Sequence, residues 1–440
     1  MQEWKETTIE DLADKNLGHL SFVDGDWIEA KHITSEGIRI IQTGNIGVGR
    51  YLDKPENKKF ISSKSFEQLK CKKVFPGDLL ICRLAEPIGR VCIVPDNEDF
   101  YVTAVDVVIF RPAKIHSKEF LTFLLNDIRI LKLVNDQSGG STRQRISRRN
   151  YGKIPIKIPS SIEEESKIAI LLTTIDQAIE KTEQLIAKYE RIKTGLIQDL
   201  LTRGIDEQGN IRSEKTHEFK DSPLGRIPKE WDVKNIGQIT EYVGSGVTPK
   251  GGSTVYQNSG IILIRSQNVL SGELSLNDVA HISETINNSM LRSEIFENDV
   301  LLNITGASIG RCCVVPNDFR RANVNQHVCV LRLFKKNEDK ATFLSTFLNS
   351  YWGQSQIARN NAGSNREGLN YAQIKTIELP FPNSDDEFKR IFEVLNSIEK
   401  ILKNHKAENK KLNRQKTPLM QDLLTGKVRV DNFINTKKAF

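Results

Sequence analysis

The chain repeats itself once, and that repeat limits the possible folds more than any other feature of its 440 residues. Phe75-Pro76-Gly77-Asp78-Leu79-Leu80 lines up with Phe296-Glu297-Asn298-Asp299-Val300-Leu301. Ile88-Gly89-Arg90-Val91-Cys92-Ile93-Val94-Pro95 follows in step with Ile309-Gly310-Arg311-Cys312-Cys313-Val314-Val315-Pro316. Gly140-Ser141-Thr142-Arg143 meets Gly363-Ser364-Asn365-Arg366, and Gln198-Asp199-Leu200-Leu201-Thr202 meets Gln421-Asp422-Leu423-Leu424-Thr425. The offset holds at 221–223 residues throughout. A period this long is no solenoid. It describes two copies of a composite unit, each a strand-rich mixed globular part followed by a long helix.

The globular parts are expected over residues 1–159 and 227–382. Short apolar runs such as Leu79-Leu80-Ile81-Cys82, Val105-Asp106-Val107-Val108-Ile109-Phe110, Ile261-Ile262-Leu263-Ile264 and Val328-Cys329-Val330-Leu331 have the length and β-branched content of strands. Helices are expected late in each part, over residues 118–134 and 340–358. The long helices occupy segments 160–204 and 383–427. In the first, residues 163–202 contain no proline and carry apolar residues at helical spacing; at 1.5 Å per residue such a helix is about 60 Å long. A seven-residue seam of Ile168, Ile175, Thr182, Tyr189 and Leu196 matches one of Ile391, Ile398, His405, Leu412 and Leu419. The expectation is that the two helices pair as an antiparallel coiled coil, with Thr182 and His405 as polar seam positions and a kink or break at Pro418. The polar, charged stretch 205–226 reads as a linker and 428–440 as a short tail. The fold class is therefore α+β with a pseudo-two-fold internal repeat.

Composition adds little. The net charge of +7 permits a nucleic-acid partner without requiring one, because 56 acidic residues accompany 63 basic ones. No apolar run is long enough for a membrane span and no basic-then-apolar leader opens the sequence, so the cytoplasm and no membrane partner are expected. The six cysteines form no C-x-x-C pair and no histidines stand at i, i+4, which speaks against a zinc site. Buried, reduced, inert thiols are the expectation.

Catalytic motifs are missing. There is no Walker A loop, no G-x-S-x-G and no H-E-x-x-H. Leu379-Pro380-Phe381-Pro382-Asn383 is not the Asn/Asp-Pro-Pro-aromatic loop of amino-methyltransferases. Pro95-Asp96 with Glu165-Ser166-Lys167 resembles a nuclease metal motif only loosely, since Glu165 opens a helix, where acids suit the dipole.

What remains is binding chemistry. The loop from Gly139 to Tyr151 carries Arg143, Gln144, Arg145 and Arg148 without an acid. Arginine can clamp a phosphate or bridge guanine, and glutamine or asparagine can bridge adenine. Its counterpart carries Asn365, Arg366 and Asn370. A second loop pair offers Arg83 and Arg90 against Thr305 and Arg311. A third offers Gln42 and Asn45 against Arg265, Gln267 and Asn268. These sixteen residues are the expected DNA contacts. No catalytic and no metal-binding residue is expected. Two other readings stand beside this one: a coiled-coil scaffold for proteins only, and a self-contained DNA nuclease.

The combination resembles the specificity subunits of type I restriction–modification systems. Leu196-Ile197-Gln198-Asp199-Leu200-Leu201-Thr202-Arg203-Gly204-Ile205-Asp206 is similar to that family's central helix ending. Ser222-Pro223-Leu224-Gly225-Arg226-Ile227-Pro228-Lys229-Glu230-Trp231 is similar to the lead-in to its second target-recognition domain. Leu419-Met420-Gln421-Asp422-Leu423-Leu424-Thr425-Gly426-Lys427-Val428-Arg429-Val430 is similar to its C-terminal ending. The first domain departs from the pattern, with Trp4 the only counterpart of Trp231. The resemblance implies two target-recognition domains that each read half of an asymmetric, bipartite site on double-stranded DNA. It implies helices that set the spacer and dock two methyltransferase (M) subunits, with restriction/motor (R) subunits joining the complex. It also implies no cofactor in this chain, with S-adenosylmethionine, ATP and Mg2+ held by the partner subunits.

Overall fold

The structure, a computed structural model, describes residues 4–140, 143–362 and 368–430. It divides into two compact units: residues 1–183 with 407–440, and residues 184–406.

In the first unit a four-stranded antiparallel sheet runs in the order Phe22–Asp24, Val107–Phe110, Leu79–Cys82, Val91–Ile93. A second sheet runs in the order Ile33–Thr34, Lys59–Ile61, Ile38–Ile41, Val102–Thr103, and its last pairing is parallel. The sequences of the central strands are apolar without a break because both faces are covered. Side chains alternate across a strand, so Leu79, Ile81, Val108 and Phe110 enter one core, and Leu80, Cys82, Val107 and Ile109 enter another. The first core takes in Ile168, Ala169 and Leu172 of the central helix, and Leu423 and Leu424 at the end of the C-terminal helix. Burying each such leucine or isoleucine stabilises the fold by about 1.5–3 kcal/mol.

The second unit repeats the plan. One sheet runs Thr240–Ser245, Val328–Leu333, Val300–Asn303, Cys312–Val314, and the other Ala280–Ile282, Ile261–Ile264, Ala322–Val324, Glu294–Ile295. Val300, Leu302, Cys329 and Leu331 face a core shared with Leu200, Leu201, Phe388 and Ile391, while Leu301, Cys313, Val328 and Val330 face the other side. The polar ties repeat as well. Arg111 pairs with Asp78 and Arg332 with Asp299, at 2.8 and 2.7 Å. Trp4 meets Phe120 edge-on and donates Nε1 to Glu164 at 3.4 Å; Trp231 meets Phe343 edge-on and donates Nε1 to Glu387 at 3.1 Å. Trp4 thus takes the place in the first unit that Trp231 takes in the second.

The central helix spans Ile162–Thr202 and the C-terminal helix Asp385–Leu423. They run antiparallel. Asp176 pairs with Lys416 at 2.6 Å in the first unit; Glu190 pairs with Lys406 at 2.9 Å, and Lys193 pairs with Glu399, in the second. Tyr189 stacks on His405 with ring centroids 5.6 Å apart. That register sets Thr182 opposite Leu412, Ile175 opposite Leu419 and Leu196 opposite Ile398. Each polar seam residue therefore faces a larger side chain rather than the other polar one. The Thr182 hydroxyl donates to the Ala178 carbonyl of its own helix at 2.7 Å, which lets it sit buried in the seam.

Four local expectations are corrected. The C-terminal helix runs through Pro418 without a break. Pro418 is exposed, and the carbonyl it cannot serve, that of Arg414, belongs to an exposed residue that water can reach. The single helices expected at 118–134 and 340–358 are each two: Lys118–Leu125 with Ile128–Asp136, and Glu338–Asn349 with Tyr351–Ala362. The break follows an asparagine with the same task in both copies. Asn126 exchanges hydrogen bonds with the backbone of Val91, and Asn349 with that of Cys312. The stretch 205–226 carries structure of its own, a hairpin strand Phe219–Ser222 paired with Gly225–Pro228, and a buried Arg212. Of the tail, Val430 is buried in the first unit's core.

Candidate nucleic-acid interface

In each globular domain the loops singled out by sequence converge, and a fourth joins them. In the first domain the loop carrying Arg83 bonds to the loop at 104–106 through Arg83 N–H to Asp106 O, 2.9 Å. Leu84 bridges to Arg145, and at the base of the basic loop Gly139 and Arg145 exchange two backbone hydrogen bonds. The Arg145 guanidinium reaches Asp106 at 2.8 Å. In the second domain Ile304 N–H donates to His327 O at 3.0 Å, Thr305 bridges to Gly368, and the Thr305 hydroxyl meets His327 Nδ1. His327 and Asp106 hold equivalent places. The turn before Val107 and Val328 was not singled out by sequence, because a short polar turn between strands carries no binding signature of its own.

Within the clusters the expected contacts divide. Arg143 and Gln144 are exposed and have no side-chain partner among the described residues; the same holds for Arg311. Gln267 is exposed and donates to Asp278 at 2.7 Å, with Arg265 beside the same residue. Gln42 is half-buried at the edge of its loop and donates to Asn57 O at 3.4 Å. Arg148 reaches Asp24 at 3.2 Å and Phe22 O at 2.8 Å, and stays half-exposed.

Five others hold the fold. Asn45 and Asn268 are buried, each accepting from a backbone N–H three residues before it (Gln42 and Arg265) and donating Nδ2 to a carbonyl seven residues on (Leu52 and Ser275). Arg83 is buried and donates to Ile146 O and Val105 O while pairing with Asp24 at 2.9 Å; burial pulls its guanidinium below the usual arginine value, and Asp24 opposes that. Arg90 is buried with its guanidinium on four carbonyls. Asn370 caps the short helix Tyr371–Lys375, accepting from Gln373 N–H at 2.9 Å. DNA contact by the four buried ones, Asn45, Asn268, Arg83 and Arg90, is set aside, because their side chains are bonded inside the domain; Asn370 is exposed and only its Oδ1 is taken up by the cap. Asn365 and Arg366 lie outside the described residues.

The remaining sequence observations find plain structural places. Glu165 accepts from His116 Nδ1 at 2.9 Å and from Ser117 N–H at 2.7 Å, deep in the first unit. All six cysteines are buried and unbridged. Burial raises the thiols of Cys92, Cys312 and Cys329 to about 12 and that of Cys71 to about 11. Among the described residues no three His, Cys, Asp or Glu side chains gather as a metal site, and no helix is long and apolar enough to cross a membrane.

Two loop-bearing domains of one plan, each joined to paired helices, define a duplicated binding protein. Comparison with known proteins gives it a family. The model of the type I restriction modification DNA specificity domain matches residues 1–191 and again 228–414, and the chain belongs to that family. It is 22% identical over 364 residues to a putative type I restriction enzyme MjaX specificity subunit of Methanocaldococcus jannaschii, covering 80% of this chain and 79% of that one. It is 25% identical over 287 residues to the EcoBI specificity subunit of Escherichia coli, covering 62% and 59%. Its fold is similar to that of a type I restriction–modification S subunit from M. genitalium, with TM-score 0.59, 15% identity and 96% of both chains covered. A further structure, from work on assembly and conformational transition of the type I system, matches with TM-score 0.53 at 13% identity, covering 97% of this chain and 100% of that one.

Proposed function

We propose that this chain is the DNA-reading specificity subunit of a type I restriction–modification complex and itself catalyses nothing. Each globular domain reads one half of a bipartite site on double-stranded DNA, and the paired helices set the unspecified spacer. The observation that carries this is the duplication of the loop cluster, once per domain and with different residues. Arg143, Gln144, Arg145 and Arg148 crown the first cluster, while Arg265, Gln267, Thr305 and Arg311 crown the second. Two unlike readers ask for two unlike half-sites, so the target is asymmetric.

The helices also dock two methyltransferase subunits, and restriction/motor subunits join through that complex. S-adenosylmethionine, ATP and Mg2+ belong to those partners. The reading is tested by sequencing genomic DNA methylation at single-molecule level in cells that supply the methyltransferase subunit, with and without this gene. A bipartite adenine-methylated motif that disappears with the gene is expected. Methylation that stays the same while the methyltransferase is active would sink the reading.

A further inference from the structure

Arg90 and Asn303 secure the same two carbonyls of the repeat from different positions. In the first domain Arg90 donates Nε to Ile46 O at 2.5 Å and Nη2 to Thr43 O at 2.9 Å. Its Nη1 donates to Ala85 O at 2.7 Å and Pro87 O at 3.0 Å. One buried guanidinium therefore ties the loop at 42–50 to the loop at 83–90. In the second domain Asn303, fully buried, donates Nδ2 to Ser266 O at 2.9 Å, Val269 O at 3.3 Å and Ser308 Oγ at 3.2 Å. Ser266 and Val269 are the repeat counterparts of Thr43 and Ile46, and Ser308 that of Pro87.

The aligned positions do not match the aligned work. The hairpins superpose: Cys82 N–H donates to Arg90 O, and Asn303 N–H to Arg311 O, both at 2.9 Å. Asn303 thus stands where Cys82 stands, and Arg311 where Arg90 stands. With Asn303 supplying the donors, Arg311 is exposed and without a side-chain partner among the described residues. Carbonyls left unserved in such a place are costly, so each domain needs one of the two solutions. The loop so held carries Gln42 in one domain and Gln267 in the other, both candidates for base contact.

We propose that Arg90 and Asn303 are positioning residues for sequence reading, each fixing the reading loops of its own domain, and that Arg311 is thereby released to meet the DNA backbone. This rests on the reading that each domain recognises its own half-site. The test selects bound sequences from randomised duplex DNA with the full-length wild-type chain and with Arg90→Gln and Asn303→Ala. Arg90→Gln is expected to lower discrimination in one half of the motif by about tenfold or more, and Asn303→Ala in the other half only. A purely architectural role would weaken both halves together, and a phosphate contact would weaken all sequences alike; either result, or relaxation of the same half by both variants, overturns the proposal. Should Arg90→Gln fail to fold, Asn303→Ala decides by whether one half relaxes while the other holds. A wild-type chain that selects no bipartite motif would instead count against the function proposed above.

Discussion

Arg429 donates Nε to Glu164 at 2.6 Å, so the chain just past the end of the C-terminal helix is tied to the first turn of the central helix. The second unit makes the same tie with the helices exchanged. There Arg212, just past the end of the central helix, pairs with Glu387 in the first turn of the C-terminal helix. Each glutamate also accepts from a tryptophan, Trp4 or Trp231. Glu164 and Glu387 are 3% and 2% exposed, so each pair rests on a buried carboxylate with added hydrogen bonds; Arg212 is buried as well, while Arg429 is partly exposed. Each pair joins three separate stretches of sequence at one carboxylate.

Breaking such a pair from one side leaves a buried charge unanswered. Arg212→Ala is expected to destabilise the protein by about 3–5 kcal/mol. Arg212→Met combined with Glu387→Gln is expected to recover most of that loss. Urea unfolding of the three proteins checks this, and a double variant as unstable as the single one would show that packing rather than charge dominates.

Seam burial has a built-in control. Ile391→Ala, at a residue 1% exposed, is expected to cost about 2–5 kcal/mol. Ile170→Ala on the same type of helix, at a residue 58% exposed, should change stability by no more than about 0.5 kcal/mol. Thermal or urea melting separates the two.

The exposed arginines should differ from each other in kind. Arg311→Ala is expected to reduce the dependence of log affinity on log salt by about one, uniformly across sequences. Arg143→Ala is expected to cost about 1–3 kcal/mol on the preferred site if it bridges a base. Titrations of specific and scrambled duplexes at several salt concentrations give both answers.

The thiols should be silent in the folded protein. With Cys71 at about 11 and Cys92, Cys312 and Cys329 at about 12, almost no thiolate exists at neutral pH. Thiol reagents are expected to label the chain only after unfolding. Because the folded values lie above the ordinary thiol value, the folded state binds these protons more tightly. Their contribution is complete below about pH 8.5, the ordinary thiol value, and is lost as pH rises toward 11–12. Melting temperatures measured from pH 7 to 10 should fall at the alkaline end.

The duplication, both long helices and the main strands were legible in the sequence, because hydrophobic spacing and repeated strings such as Ile-Gly-Arg carry them directly. Three of the loops that cluster in each domain were legible for the same reason; the turn before Val107 and Val328 was not. The work of individual residues was not. Arg90 and Arg311 occupy the same place in the same string, yet one is locked on carbonyls and the other has no side-chain partner among the described residues, and the difference lies at Cys82 and Asn303, eight residues earlier. Asn45 and Asn268 looked like base readers because an amide that caps a turn and an amide that reads adenine are the same residue type. The split helices could have been foreseen at Asp127, whose side chain accepts from Arg129 N–H as a cap, had the apolar run across it weighed less.

The exchange between Arg90 and Asn303 bears on how such a chain can change over generations. A domain that lost its carbonyl donor before gaining another would pass through a form with slack loops and blurred reading. The second domain carries both residues at once, the amide on the carbonyls and the arginine without a side-chain partner among the described residues. A lineage can add the asparagine first while the arginine still holds, and only then turn the arginine to a new purpose. Under the positioning role proposed for Arg90 and Asn303, each step along that path keeps the reading loops held, so new recognition can arise without an interval in which the old one has failed.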